Sequence, residues 1–135
     1  MASVSIDQFF RCMHPDARTN WQMFSTLTDA LFSTVASLSN GGFDVIADTV
    51  FERAECHATM QRALANHPHR LVAVTCPLDV LEAREQARGN RRLCQAREQH
   101  ARVLLGAAYD LEIDTHTMSL DECVDRLVAL LPPRS

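Results

Sequence analysis

A chain of 135 residues, 47% hydrophobic and 22% charged, has the material for one soluble globular domain with a core of its own. No stretch approaches the ~20 consecutive apolar residues of a membrane span, and no basic segment followed by an apolar one opens the chain, so the expected address is the cytoplasm with no membrane partner. The net charge of -4 argues against nucleic acid as a partner, since that affinity comes from basic side chains neutralising phosphates.

The elements alternate short apolar runs with longer helical patterns, which is the signature of βα units around a mostly parallel sheet. The first expected strand is Val4 to Ile6, ending at Asp7. A long helix follows, with Phe24, Leu27, Leu31, Val35 and Leu38 at steps of three and four and therefore on one face. After the Asn40, Gly41, Gly42 break comes a strand from Phe43 to Ala47, ending at Asp48, and then a helix from about Glu52 to Leu64. Leu71 to Thr75 reads as the third strand. Pro77 suits the first turn of the next helix, which carries Val80, Leu81 and Ala83 inward until Gly89 and Asn90 break it. An arginine-rich helix from about Gln95 to Leu105 stops at Gly106, and Tyr109 to Ile113 is the fourth strand, ending at Asp114. The last helix is marked by the capping box of Ser119 and Glu122, the stripe Leu120, Val124, Leu127 and Leu131, and the stop at Pro132 and Pro133.

Five cysteines without a CxxC pair suggest reduced, mostly core thiols rather than a disulfide framework or zinc knuckle. His67 and His69 flank Pro68 in a turn, but no third ligand is evident and no metal site is expected. The chain contains no lysine, so a G-x-x-x-x-G-K-[ST] phosphate loop is excluded from these residues.

In open α/β sheets ligands bind beyond the carboxyl ends of the strands, where loops and helix N-termini converge. Asp7, Asp48 and Asp114 stand at such ends, where a carboxylate can take a proton from a hydroxyl or hold a magnesium ion. The alternative for each is a helix N-cap. Arg84 and Arg88 are one turn apart, and the Gly89–Asn90 break lets Arg91 and Arg92 approach them, a grouping suited to polyphosphate. The alternative is a solvated helix whose arginines pair with Glu82, Glu85 and Glu98.

Taken together, CPLDVLEAREQARGNR from Cys76 to Arg91, then Gln99, Val103 and Gly106, YDLEIDT from Tyr109 to Thr115 and SLDEC from Ser119 to Cys123 resemble the second half of chloramphenicol phosphotransferase-like kinases in order and spacing. FDVIADTVF from Phe43 to Phe51 is similar to that family's third strand, and VSIDQFF from Val4 to Phe10 to its second. The resemblance implies an ATP-dependent O-phosphotransferase acting on a small-molecule hydroxyl, with ATP and Mg2+ as cofactors. It implies an α/β fold, a three-layer P-loop kinase-like parallel sheet flanked by helices, truncated so that the first strand, the P-loop and the first helix are lacking. Residues 1–135 would then be a single incomplete domain with an arginine-rich lid at about 84–102. By the same likeness Asp7 is the catalytic base, Asp48 and Phe51 bind substrate, and Arg84, Arg88 and Arg91 form the lid on the nucleotide phosphates, with Arg88 and Arg91 also assisting transfer.

Departures accompany the likeness: Asn90 stands where the family usually has Asp, Leu104 where it usually has His, and Thr49 where the chloramphenicol enzyme has a second Asp. The acceptor is left open. Two other readings are a non-catalytic ligand- or partner-binding remnant and a kinase of nucleotide or cofactor metabolism. With the first strand absent, the strands ending at Asp48 and Thr75 would close up and pair, or a homodimer would supply an edge, or the chain would be marginal and prone to aggregate through its open edges, the first two being favoured.

Overall fold

The computed structural model describes residues 1–13, 21–89, 95–103 and 107–131. They form a mixed α/β structure in which the strands are parallel, as expected. The chain divides into two compact units, Met1–His69 and Arg70–Ser135.

In the first unit β1 (Ala2–Ser5) pairs in parallel with β2 (Val45–Asp48), and the register sets Ser5 opposite Asp48. The first strand ends earlier than its apolar run suggests. Ser5 caps a short helix α1 (Ile6–Arg11), so Ile6 and Asp7 are helical rather than extended. The reason is a reciprocal cap: the Ser5 hydroxyl accepts the Asp7 N–H at 3.3 Å while the Ser5 N–H donates to Gln8 Oε1 at 2.9 Å. The second strand starts two residues late and includes Asp48.

Helix α2 (Trp21–Asn40) lies against both strands and buries Leu27, Leu31 and Val35, the face its periodicity announces, together with Phe32 and Thr28. Burial of Thr28 leaves no orphan hydroxyl, because Oγ1 donates to the Phe24 carbonyl at 2.9 Å. Helix α3 (Ala54–Ala63) packs on α2 through Cys56 and Met60.

In the second unit β3 (Val72–Thr75) pairs in parallel with β4 (Leu111–Asp114), with Thr75 opposite Asp114. The core beneath this pair contains Ala73, Cys76, Ile113 and Cys123. Helix α4 (Leu78–Arg88) ends at Gly89, whose φ of 62° is the left-handed geometry that stops a helix with least strain in glycine. Its buried residue is Glu85; Ala83, expected inward, is exposed. Helix α5 (Gln95–His100) is shorter than its sequence pattern, and α6 (Leu120–Ala129) follows β4.

Among the described residues the strands make two two-stranded sheets, and the β2–β3 pairing that was one of the expected alternatives is not among their pairs. Parallel strands are ordinarily covered on both faces. Here Ile46 and Val74 are 55% and 63% exposed, and the α6 stripe is on the surface, with Leu120 78% exposed.

The cap of α6 is as the sequence indicates. Ser119 N–H donates to Glu122 Oε2 at 2.7 Å and Glu122 N–H to Ser119 Oγ at 3.3 Å. These bonds hold the Glu122 carboxyl below the usual carboxylate range. A depressed folded value means that the cap's contribution is in place above the ordinary carboxylate value and is lost as pH falls through the depressed one. The Ser119 amide resonance is expected to titrate below about pH 4.3, the unperturbed Glu value, and to stop titrating in Glu122→Gln, whose amide oxygen still accepts. A Ser119 titration at or above the free-Glu value would refute the coupling.

Candidate functional site

The carboxyl end of the β1–β2 sheet gathers two of the expected acidic residues. Asp48 ends β2, and its Oδ2 accepts the Ser5 hydroxyl at 3.4 Å; the same hydroxyl accepts the Asp7 N–H. Ser5 thus ties the strand carrying one carboxylate to the helix carrying the other. Both Asp7 and Asp48 are exposed, so each carboxylate is open to a molecule arriving from solvent. Just beyond Asp48, Thr49 Oγ1 is buried with no hydrogen-bond partner among the described residues, a cost of about 1–3 kcal/mol.

The loop that follows carries Phe51 and Arg53. Phe51 stacks on Phe32 at 6.1 Å and meets the His57 ring edge-on at 5.7 Å, so its ring joins α2 to α3. Arg53 lies over the Trp21 ring, with Cζ 3.9 Å from the centroid. Trp21 stacks on Phe24 at 5.4 Å, and Phe24 meets Phe10 tilted at 5.8 Å, a group that connects α1, the start of α2 and the N-cap of α3. Burial pushes the Cys56 thiol up, which disfavours the thiolate, the reactive form.

In the second unit the carboxyl ends of β3 and β4 are cross-linked by threonines. Thr75 Oγ1 donates to the Ile113 carbonyl at 3.2 Å, and Thr115 donates to the Thr75 carbonyl through its N–H at 3.0 Å and its hydroxyl at 3.1 Å. Arg84 forks onto the same residue, Nη1 to Thr115 Oγ1 at 3.0 Å and Nη2 to the Thr115 carbonyl at 3.1 Å. Arg88 is in the last turn of α4 and exposed, with no hydrogen bond or ion pair among the described residues. Helices α4 and α5 are joined by the Arg97–Glu82 fork at 2.7 and 3.1 Å and by the Ala96 N–H donating to Glu85 Oε1 at 3.0 Å. Arg91, with Asn90, Arg92, Leu104 and Gly106, lies outside the described residues.

Asp48 at the end of β2 and Asp7 in the first turn of α1 lie in the first unit, and Arg88, in the last turn of α4, lies in the second. The family model described as chloramphenicol phosphotransferase-like protein matches residues 3–132. The chain belongs to the chloramphenicol phosphotransferase-like family. That family is one of kinase-type phosphotransferases. No curated protein matches the chain. Among the described residues no helix is long and apolar enough to cross a membrane.

Within this family member, sequence reading missed Ser5, Arg53 and Thr115. For Ser5 a signal exists: Ser5-Ile6-Asp7-Gln8 has the S-x-x-Q form of a capping box. Arg53 and Thr115 have none, because their partners Trp21 and Arg84 are 32 and 31 positions away.

Proposed function

We propose that this protein is the acceptor-side portion of an ATP-dependent O-phosphotransferase, with a small-molecule hydroxyl as substrate. The observation that carries the reading is the joining of Asp7 and Asp48 through Ser5 at the carboxyl end of two parallel strands. An exposed carboxylate there can accept the proton of an acceptor hydroxyl as its oxygen attacks phosphorus, and Asp7 takes that role.

The described residues fit the cofactor in part. They contain no group of three His, Cys, Asp or Glu side chains arranged to hold a metal. Magnesium asks for less, commonly one or two carboxylates with substrate phosphates completing its shell, and Asp48 is the residue for it. Bound ATP with its Mg2+ would supply the phosphoryl group. By the family likeness Arg88, with Arg91, would hold phosphate oxygens, while Arg84 holds the turn after β4 through Thr115. A lysine-containing phosphate loop would have to come from outside residues 1–135, since the sequence has no lysine.

The test is ATP consumption with a panel of hydroxylated metabolites, for residues 1–135 alone and for the same residues behind a fused strand, phosphate loop and helix. Background turnover alone and acceptor-dependent turnover in the fusion are expected. Robust turnover by residues 1–135 alone would show that the loop is dispensable; an inert fusion that binds ATP would sink the phosphotransferase reading.

A further inference from the structure

Arg53 is on the wrong end of a helix. It is the N-cap of α3, where Ser, Thr, Asp and Asn are preferred, and it makes no side-chain cap. Its positive charge adds to the positive end of the helix dipole instead of opposing it. Such a local violation calls for a compensating use.

The geometry of the side chain suggests one. The guanidinium lies over the Trp21 ring, with Cζ 3.9 Å from the centroid. A guanidinium held on an aromatic ring leaves N–H donors with which its fork can grip two oxygens of one anion. Among the described residues no hydrogen bond or ion pair takes up those donors, and Arg53 is exposed. The Trp21 ring is itself backed by Phe24 at 5.4 Å, which fixes the surface on which the guanidinium rests. Position adds the last step. Arg53 follows Asp48 by five residues, on the segment that leaves the carboxyl end of β2.

We propose that Arg53, held over the Trp21 ring, anchors a carboxylate or phosphate group of the acceptor molecule, whose hydroxyl is the one presented to Asp7. This rests on the acceptor-side reading above and narrows it to hydroxyl compounds that carry an anionic group. Arginine is required because a lysine ammonium offers a single charged point with no fork. The aromatic group makes the anchor pre-organised, so little side-chain freedom is lost on binding.

The test uses residues 1–135 as they are. Trp21 is the one tryptophan of the chain, so its emission reports on the ring beneath Arg53. Glycerate, glycerol 3-phosphate and glycerol are titrated at constant ionic strength, with calorimetry as a second readout because substitution at Arg53 changes the emission itself. A saturable response to glycerate alone assigns a carboxylate, to glycerol 3-phosphate alone a phosphate, and glycerol gives none. Arg53→Ala is expected to weaken anion binding about tenfold or more, and Arg53→Lys to recover only part of it. Equal binding of glycerol, no saturation by either anion at about 50 mM, well above a millimolar dissociation constant, or unchanged binding in Arg53→Ala overturns the proposal. Anion binding that depends on Arg53 with no transfer in the fused protein would leave this inference standing and remove the phosphotransferase reading. Transfer to neutral acceptors untouched by Arg53→Ala would do the reverse.

Discussion

Asp7→Asn, made in the protein with a fused phosphate loop, is expected to lower phosphoryl transfer about 10²–10⁴-fold, the range a positioned general base contributes. Affinity for ATP should stay within about twofold, because the carboxylate is assigned to the acceptor hydroxyl. Asn preserves the shape of the side chain, and the cap of α1 survives the change, since Ser5 and Gln8 make it with backbone groups. A loss of activity is therefore not a loss of fold, and circular dichroism of the variant checks this. Arg88→Ala gives the contrasting pattern: weaker ATP binding and slower transfer together, as for a group that touches phosphate in both ground and transition states. Equal loss of ATP affinity in the two variants would remove the division of roles.

Leu31→Ala is expected to cost about 3 kcal/mol, a large share of a domain stability of ~5–15 kcal/mol. Leu31 is 0% exposed in the middle of α2, where that helix covers the β1–β2 sheet, so the deleted methyl groups leave a space that the rigid helix cannot easily close. Val74→Ala is the control. Val74 is 63% exposed, and its loss should change the unfolding free energy, read from urea denaturation, by no more than about 0.5 kcal/mol. Similar shifts for both variants would mean that α2 is not seated as described.

The sequence by itself determined the parts with local causes. The apolar face of α2 follows from the 3.6-residue period, the α6 start from the Ser119–Glu122 box, the α4 stop from Gly89, and the parallel strands from their spacing around helices. It also excluded a lysine-containing phosphate loop from these residues. The family was legible for the same reason: its motifs are contiguous runs, and the matched span is residues 3–132. Ser5 was legible too, since its capping box is written in four consecutive residues, though the apolar run through Ile6 masks it as strand. Tertiary structure decided everything that depends on distant partners. That four strands pair two by two, that the α6 stripe faces solvent, that Ser5 links Asp7 to Asp48 and that Arg84 is tied to Thr115 all require contacts between segments far apart in the chain. Arg53 shows the difference most clearly: nothing in its neighbours sets it apart, and only the fold brings it over a tryptophan 32 residues earlier, with no hydrogen bond or ion pair among the described residues on its donors.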